Sequence, residues 1–426
     1  MKDNLMSNNI KDIMKKIGLN ARKANSRLAR ATTDEKNTAL QVIAKNIDKD
    51  IKKILNENKR DIELARSNNK SKAIIDRLTL NENSIKNISI SINNIISLAD
   101  PIGKTLNSWE RPNGLLINRV SIPIGVIGII YESRPNVTAD AACLCLKSGN
   151  ASILRSGSDS FHSSLAIYQS IRTALEKTNL DANSIQFVPM TDREAVGMML
   201  SGLDSNIDVI VPRGGKSLVS RVEKEAKVSV FGHLEGICHI YINDSANLEN
   251  AINISANAKM RRPSICGAAE TLLIDKSIAK KFLPKILEKL DQLGCEIRGD
   301  KTVKDIFQKT KSVKESDWST EYLDAIISVK IVNNIDEAII HIEKYGTGHT
   351  EAIISENPES NEYFLKNIGS SIILVNASTQ FADGGEFGFG AEIGISTGRL
   401  HARGPIGLEQ LTTFKYIVHG NGQIRP

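Results

Sequence analysis

One thiol, Cys266, stands in a setting suited to chemistry. In the stretch Lys259-Met-Arg-Arg-Pro-Ser-Ile-Cys-Gly-Ala-Ala-Glu-Thr-Leu-Leu-Ile274, two arginines and a turn-forming Pro263-Ser264 precede it. Gly267, Ala268 and Ala269 follow, leaving room for a substrate carbon, and an apolar run then reads as a buried strand. Arg261 and Arg262 are near enough in sequence to favour the thiolate, the nucleophilic form of cysteine. The bland reading of such a residue is a small buried hydrophobe, and the charged flank argues against it.

Two further motifs carry chemical potential. Pro212-Arg-Gly-Gly-Lys216 falls between an apolar strand and a helical segment, where glycines let an anion approach the helix N-terminus and Arg213 and Lys216 add positive charge. A plain glycine turn is the alternative. His233-Leu-Glu-Gly236 lies between two apolar strands, so Glu235 is either a general base whose pKa is raised by burial or a solvated turn residue. Cys143, Cys145 and Cys238 read as core. The seven histidines show no spacing with metal-ligand meaning, and no metal is expected. Neither Gly-x-Gly-x-x-Gly, Walker A nor Gly-x-Ser-x-Gly occurs.

The elements that must hold these residues follow from periodicity. Residues 1–100 read as helices: Thr32-Thr-Asp-Glu35 is a capping-box start, and Ile85, Ile88, Ile92 and Ile95 recur at helical spacing before Pro101. Lys and Asn between them are assigned to the solvated face. Residues 114–123 read as a ribbon. Beyond it, strands at 124–130, 151–155, 186–188, 207–212, 228–232 and 238–242 alternate with helices, the pattern of a doubly wound parallel sheet. Ligands in such sheets bind beyond the carboxyl ends of the strands, which directs attention to the loops after Tyr131, Arg155 and Pro212. A second α/β unit follows Cys266, and the glycine-rich 383–394 segment reads as a functional loop.

At 426 residues the chain exceeds the size of a single core. Its 41% hydrophobic and 24% charged content is that of a soluble globular protein. The net charge of +6 and pI near 8.9 suit an anionic ligand. A basic patch interleaved with aromatics is missing, which disfavours a nucleic-acid partner. No apolar run approaches the roughly 20 residues that span a bilayer, no signal peptide is apparent, and five cysteines without paired spacing do not make a disulfide scaffold. A cytoplasmic protein with reduced thiols is expected, without membrane association.

Taken together with Tyr131-Glu-Ser-Arg-Pro-Asn-Val-Thr138, Asn376-Ala-Ser-Thr-Gln-Phe-Ala-Asp-Gly-Gly-Glu386 and Gly398-Arg-Leu-His-Ala-Arg-Gly-Pro-Ile-Gly407, these motifs resemble the gamma-glutamyl phosphate reductase family of the aldehyde dehydrogenase superfamily. The match runs from about Pro112 to Tyr416. The resemblance implies an aldehyde dehydrogenase-like α/β fold: two doubly wound parallel-sheet domains, a helical N-terminus and a small β oligomerisation element. Residues 1–107 and 123–234 would form the cofactor domain, 235–390 the catalytic domain, and 108–122 with 391–426 the bridging element. It implies NADPH as cofactor and reduction of L-glutamyl 5-phosphate to L-glutamate 5-semialdehyde, the second step of proline synthesis. A homo-oligomer and transient contact with a separate glutamate 5-kinase are further implications.

Carried over by residue, Cys266 matches the catalytic thiol and Glu235 the general base. Arg155 takes the place of a lysine at the adenosine ribose, Pro212, Arg213, Gly214, Gly215 and Lys216 form the cofactor-phosphate loop, and Glu321 holds the nicotinamide ribose. Arg134, Arg261 and Arg262 are candidates for the substrate's phosphate or carboxylate. The sequence also departs from the family: Gly267 replaces an expected asparagine, Met260-Arg261 is an unusual pair, and Ser133 stands at the oxyanion-hole asparagine. Asn136 and the Cys266 backbone N–H are the remaining oxyanion candidates. An ordinary aldehyde dehydrogenase, passing the thioester to water rather than to phosphate, is the alternative activity.

Overall fold

The computed structural model describes residues 2–425, so Met1 and Pro426, the extreme ends of the first and last segments, lie outside the described residues. The chain divides into two compact units. The first comprises Met1–Gly232, Gly388–Ile395 and Pro405–Pro426; the second comprises His233–Phe387 and Ser396–Gly404.

The first unit begins with helices Lys2–Leu28, Thr33–Lys49, Ile51–Ser67, Lys72–Leu78 and Glu82–Ser97. The capping box forms as expected: Thr32 accepts the Glu35 N–H while Glu35 accepts the Thr32 N–H. Ile85, Ile88, Ile92 and Ile95 are all buried. The polar residues are not uniformly solvated, however. Lys36 is buried against Asp100 at 2.5 Å, and buried Asn58 donates to Leu78 O and Ser163 Oγ while accepting from Leu80 N. Such groups stay inside because each polar atom finds a partner.

The sheet of this unit has five parallel strands in the order Ile185–Phe187, Ala151–Ser156, Val126–Tyr131, Val209–Arg213, Ser229–Val230. Val126–Tyr131 is wholly buried, as its unbroken apolar run requires. The strand order reverses beside it, so the loops after Tyr131 and Arg213 flank the switch point where doubly wound sheets take ligands. A separate antiparallel sheet joins Thr105–Glu110, Leu116–Pro123 and Thr412–His419, with Leu116–Pro123 in the middle. It leaves Leu106, Leu116, Phe414, Tyr416 and Val418 exposed.

The second unit is built on seven parallel strands. Their order is Lys311–Ser312, Glu296–Gly299, Ile326–Val332, Ala269–Asp275, Cys238–Ile242, Thr350–Ile354, Ile372–Val375. The central strands, Ala269–Asp275, Cys238–Ile242 and Thr350–Ile354, are buried at every position. Helix Lys276–Gln292 packs Phe282, Leu283, Ile286, Leu287 and Leu290 onto this sheet.

Candidate active site

Three strands that are neighbours in the second unit's sheet start side by side. Residues just before them therefore converge at the sheet's amino edge. Glu235 and Gly236 precede Cys238–Ile242, Cys266 precedes Ala269–Asp275, and His349 precedes Thr350–Ile354. Cys266 thus lies in a loop entering a buried strand, as its sequence reads, whereas the carboxyl-end rule concerned the loops of the first sheet. In this unit the strand-start loops carry the reactive groups.

The approach is close. A Cβ on Gly236 would stand 2.2 Å from the Cys266 carbonyl oxygen, so only glycine lets the two strand-start loops touch. Cys238 Sγ donates to that same carbonyl at 3.1 Å and lies 3.6 Å from His349 Nδ1. Cys238 is buried as expected, but it is also part of the wall behind Cys266.

Cys266 keeps part of its surface accessible, unlike the other four cysteines. Burial pushes its thiol up, but His349 and His233 overcome that and hold it well below the ordinary thiol value. Cys238, deprived of such help by burial and by Glu351, is pushed well above it. Imidazoles rather than the adjacent arginines therefore supply the main pull on the nucleophile. Arg261 is exposed and donates to Gln380 Oε1 at 3.4 Å; Gln380 in turn donates to Ala258 O and Arg262 O. His233 and His349 meet edge to face, ring centroids 4.7 Å apart, and each offers a ring nitrogen within 4.8 Å of the sulfur and of the other. Neither histidine was suggested by sequence spacing, because they are brought together only by strand order.

An alkylation profile tests this electrostatic picture. A depressed thiol pKa keeps the thiolate populated as pH falls, and loses it only below the folded value. Cys266 should therefore keep more of its plateau rate with iodoacetamide at pH 7 than an ordinary thiol of pKa about 8.5 does. His349→Gln should move the profile back towards higher pH.

Glu321 accepts the Gly236 N–H at 2.9 Å, and burial raises its pKa, with Cys266 and Glu235 adding to the rise. Glu235 is half-buried. The strands thus bring Cys266, Glu235 and Glu321 into one neighbourhood, all within the second unit. Behind it, Lys259 Nζ and Glu270 Oε2 form a buried pair at 2.6 Å, and Glu270 Oε1 accepts the Leu323 N–H at 3.3 Å, tying down the segment that carries Glu321. Burial pushes Glu270 up to about 7 against the pull of Lys259. Lys259→Met should destabilise the unit by about 3–5 kcal/mol, because it removes one partner of a buried pair and forces Glu270 to take up a proton or stay unpaired, whereas Lys259→Met with Glu270→Leu should restore most of the loss. Denaturant unfolding midpoints of the two variants check this.

The remaining predicted residues belong to the first unit. Arg155 is the penultimate residue of strand Ala151–Ser156, is 7% exposed, donates to Thr191 O at 2.8 Å, and leaves its Nε buried without a hydrogen-bond partner. Pro212 and Arg213 close strand Val209–Arg213, and Gly214-Gly215 lead into helix Lys216–Glu225, which has no side-chain N-cap. The Glu132 carboxylate lies against Gly214 and accepts the Gly215 N–H. Asn136 is exposed and donates to Asp140 Oδ2 at 2.9 Å, one helical turn on. Arg134 is half-buried beside it, and Ser133 takes a left-handed backbone (φ 51°) while its hydroxyl donates to Asp159.

The aldehyde dehydrogenase family model matches residues 9–304. The gamma-glutamyl phosphate reductase of Methylorubrum populi is 55% identical over 97% of this chain and 96% of its own length. That of Brucella suis is 56% identical over 99% of this chain and all of its own. The chain belongs to the aldehyde dehydrogenase family, in its gamma-glutamyl phosphate reductase branch. Family membership extends to three dimensions: the crystal structure of the Thermotoga maritima gamma-glutamyl phosphate reductase superimposes with a TM-score of 0.95 at 46% identity, covering 97% of this chain and 100% of that one. An acetylating aldehyde dehydrogenase from Geobacillus thermoglucosidasius, 17% identical, shares the fold with a TM-score of 0.70, covering 99% of both chains. The family's α/β architecture and helical N-terminus are those expected from the sequence.

Proposed function

We propose that this enzyme reduces L-glutamyl 5-phosphate to L-glutamate 5-semialdehyde and phosphate, the second step of proline biosynthesis, with Cys266 as nucleophile. The reading rests on the depressed Cys266 thiol at the amino edge of the second sheet, together with full-length relatives named for this reaction.

The Cys266 thiolate attacks the acyl carbon; a C–S bond forms, the C–O bond to phosphate breaks, and phosphate leaves with the electron pair. Splitting the displacement this way replaces one hard step by two easier ones. The Cys266 backbone N–H and Asn136 are the donors proposed for the developing oxyanion, a contribution of about 3 kcal/mol per well-placed donor. His349 and His233 hold the thiolate before attack. Glu235 manages the proton on the thiol when the thiohemiacetal collapses and Cys266 departs. Arg134, Arg261 and Arg262 are proposed to bind the substrate's phosphate and carboxylate.

The family's reactions use a nicotinamide dinucleotide, and the first unit fits one. Arg155 presents a buried Nε without a hydrogen-bond partner, and the Gly215 N–H at the start of helix Lys216–Glu225 already takes an anionic oxygen, that of Glu132, where a phosphate oxygen could stand. Bound there, the dinucleotide, taken here to be NADPH, would supply the hydride. Arg155 would lie at its adenosine ribose, Pro212, Arg213, Gly214, Gly215 and Lys216 at its phosphates, and Glu321 at its nicotinamide ribose. The proposed division of labour assigns 1–107 and 123–234 to the cofactor and 235–390 to catalysis. Residues 108–122 and 391–426 are assigned to self-association, which the exposed Leu116, Phe414, Tyr416 and Val418 favour. Among the described residues no helix is long and apolar enough to cross a membrane. A cytoplasmic homo-oligomer supplied by a glutamate 5-kinase is the setting proposed.

Run in reverse, the reaction separates this activity from simple aldehyde oxidation. Oxidation of glutamate semialdehyde by NADP+ should require phosphate. Equal rates without phosphate would instead show hydrolysis of the thioester.

A further inference from the structure

The triad of Cys266, His233 and His349 has a second chemical meaning. One ligand atom from each, the sulfur and two imidazole nitrogens, lies within 4.8 Å of the other two. Zinc bonds of about 2.3 Å to sulfur and 2.0–2.1 Å to nitrogen place donor atoms roughly 3.3–3.8 Å apart in a tetrahedron, so contraction by about an ångström closes the site.

His349 is already arranged as metal-binding histidines are. Its Nδ1 pairs with Thr350 Oγ1 at 2.8 Å, with Cys238 Sγ behind it at 3.6 Å. Its Nε2 is buried, the imidazole already pairs with the Cys266 thiol with which it would share a metal, and the residue is fully buried. A ring held through one nitrogen leaves the other fixed in direction for a metal, the usual outer-shell device. The donors, one thiolate and two imidazoles, suit zinc and exclude magnesium and calcium, which want oxygen. The part-exposed faces of Cys266 and His233 give an ion access, and the fourth position stays open to water.

We propose that Cys266, His233 and His349 form a Zn2+ site that reversibly occupies the nucleophile and silences the enzyme. Zinc takes the sulfur lone pair that would attack the acyl carbon. Any proton carried by the ligand atoms leaves to solvent on binding, and no oxidant or reductant is consumed. Residues that prepare a nucleophile therefore also make it a sensor of free zinc.

The test uses the full-length chain and the metal alone, without substrate, so it stands apart from the reading of the reaction. Equilibrium dialysis against Zn2+ should find one tight ion per chain. Cys266→Ser should abolish it, and His233→Gln and His349→Gln should each weaken it at least tenfold. Cys295→Ser, remote from the triad, should leave it unchanged. Co2+ should give a sulfur-to-metal charge-transfer band that Cys266→Ser lacks, and zinc should block iodoacetamide until EDTA is added. Circular dichroism identifies any variant that fails to fold. Zinc bound equally by wild type and folded Cys266→Ser, or alkylation unaffected by zinc, would overturn the proposal.

Discussion

Cys266→Ala should lower turnover by about 10⁴-fold or more, the scale seen when the nucleophile of a covalent mechanism is removed. Nothing near the sulfur can replace it. Cys238 is the nearest other thiol, but burial and Glu351 hold it protonated, and its Sγ is committed to the Cys266 carbonyl. The change removes one sulfur atom next to Gly267 and Ala268 without introducing bulk, so folding should be kept. NADPH affinity, measured by fluorescence titration, should stay within about twofold, because the residues assigned to the dinucleotide phosphates belong to the first unit. A variant retaining a tenth of wild-type turnover would mean that hydride reaches the acyl phosphate without a thioester. The covalent mechanism would then be wrong.

The second large effect is expected one strand away. Gly236→Ala adds a methyl group that would meet the Cys266 carbonyl oxygen at 2.2 Å and its carbonyl carbon at 2.9 Å. Both contacts are backbone, so neither can swing aside as a flexible side chain would. The loop before Cys238–Ile242 must separate from the loop before Ala269–Asp275, moving Cys266 relative to His233 and His349 and straining the Gly236 N–H bond to Glu321. A displacement of about 1 Å at a reacting centre costs roughly 10²-fold in rate. The drop should appear in kcat, with a lower melting temperature reporting the strain. Wild-type kcat in Gly236→Ala would show that the contact between the loops does not place the nucleophile.

These two predictions differ in how far the sequence alone supports them. Cys266 was legible because its neighbours are small, charged or turn-forming, a local signal. The alternation of strands and helices was legible for the same reason: each apolar run and each cap is written in consecutive residues, as at Thr32–Glu35. His233 and His349 were not legible as a pair. They stand far apart in the chain and become neighbours only because Cys238–Ile242 lies between Ala269–Asp275 and Thr350–Ile354. The general rule that ligands gather at strand carboxyl ends directs attention to the loops of the first sheet's switch point and says nothing of the amino edge of the second sheet. The polar interior was also hidden. Lys36 and Asn58 look like surface residues in a helical pattern, and only their partners Asp100 and Ser163, both distant in sequence, explain their burial.

The two units are interleaved along the chain, which passes between them four times, after Gly232, Phe387, Ile395 and Gly404. Neither is a contiguous genetic module. A polypeptide ending at Gly232 would lack Thr412–His419, leaving one whole edge of Leu116–Pro123 unpaired and open to aggregation. Domain exchange or separate expression of either half would have to respect all four crossings.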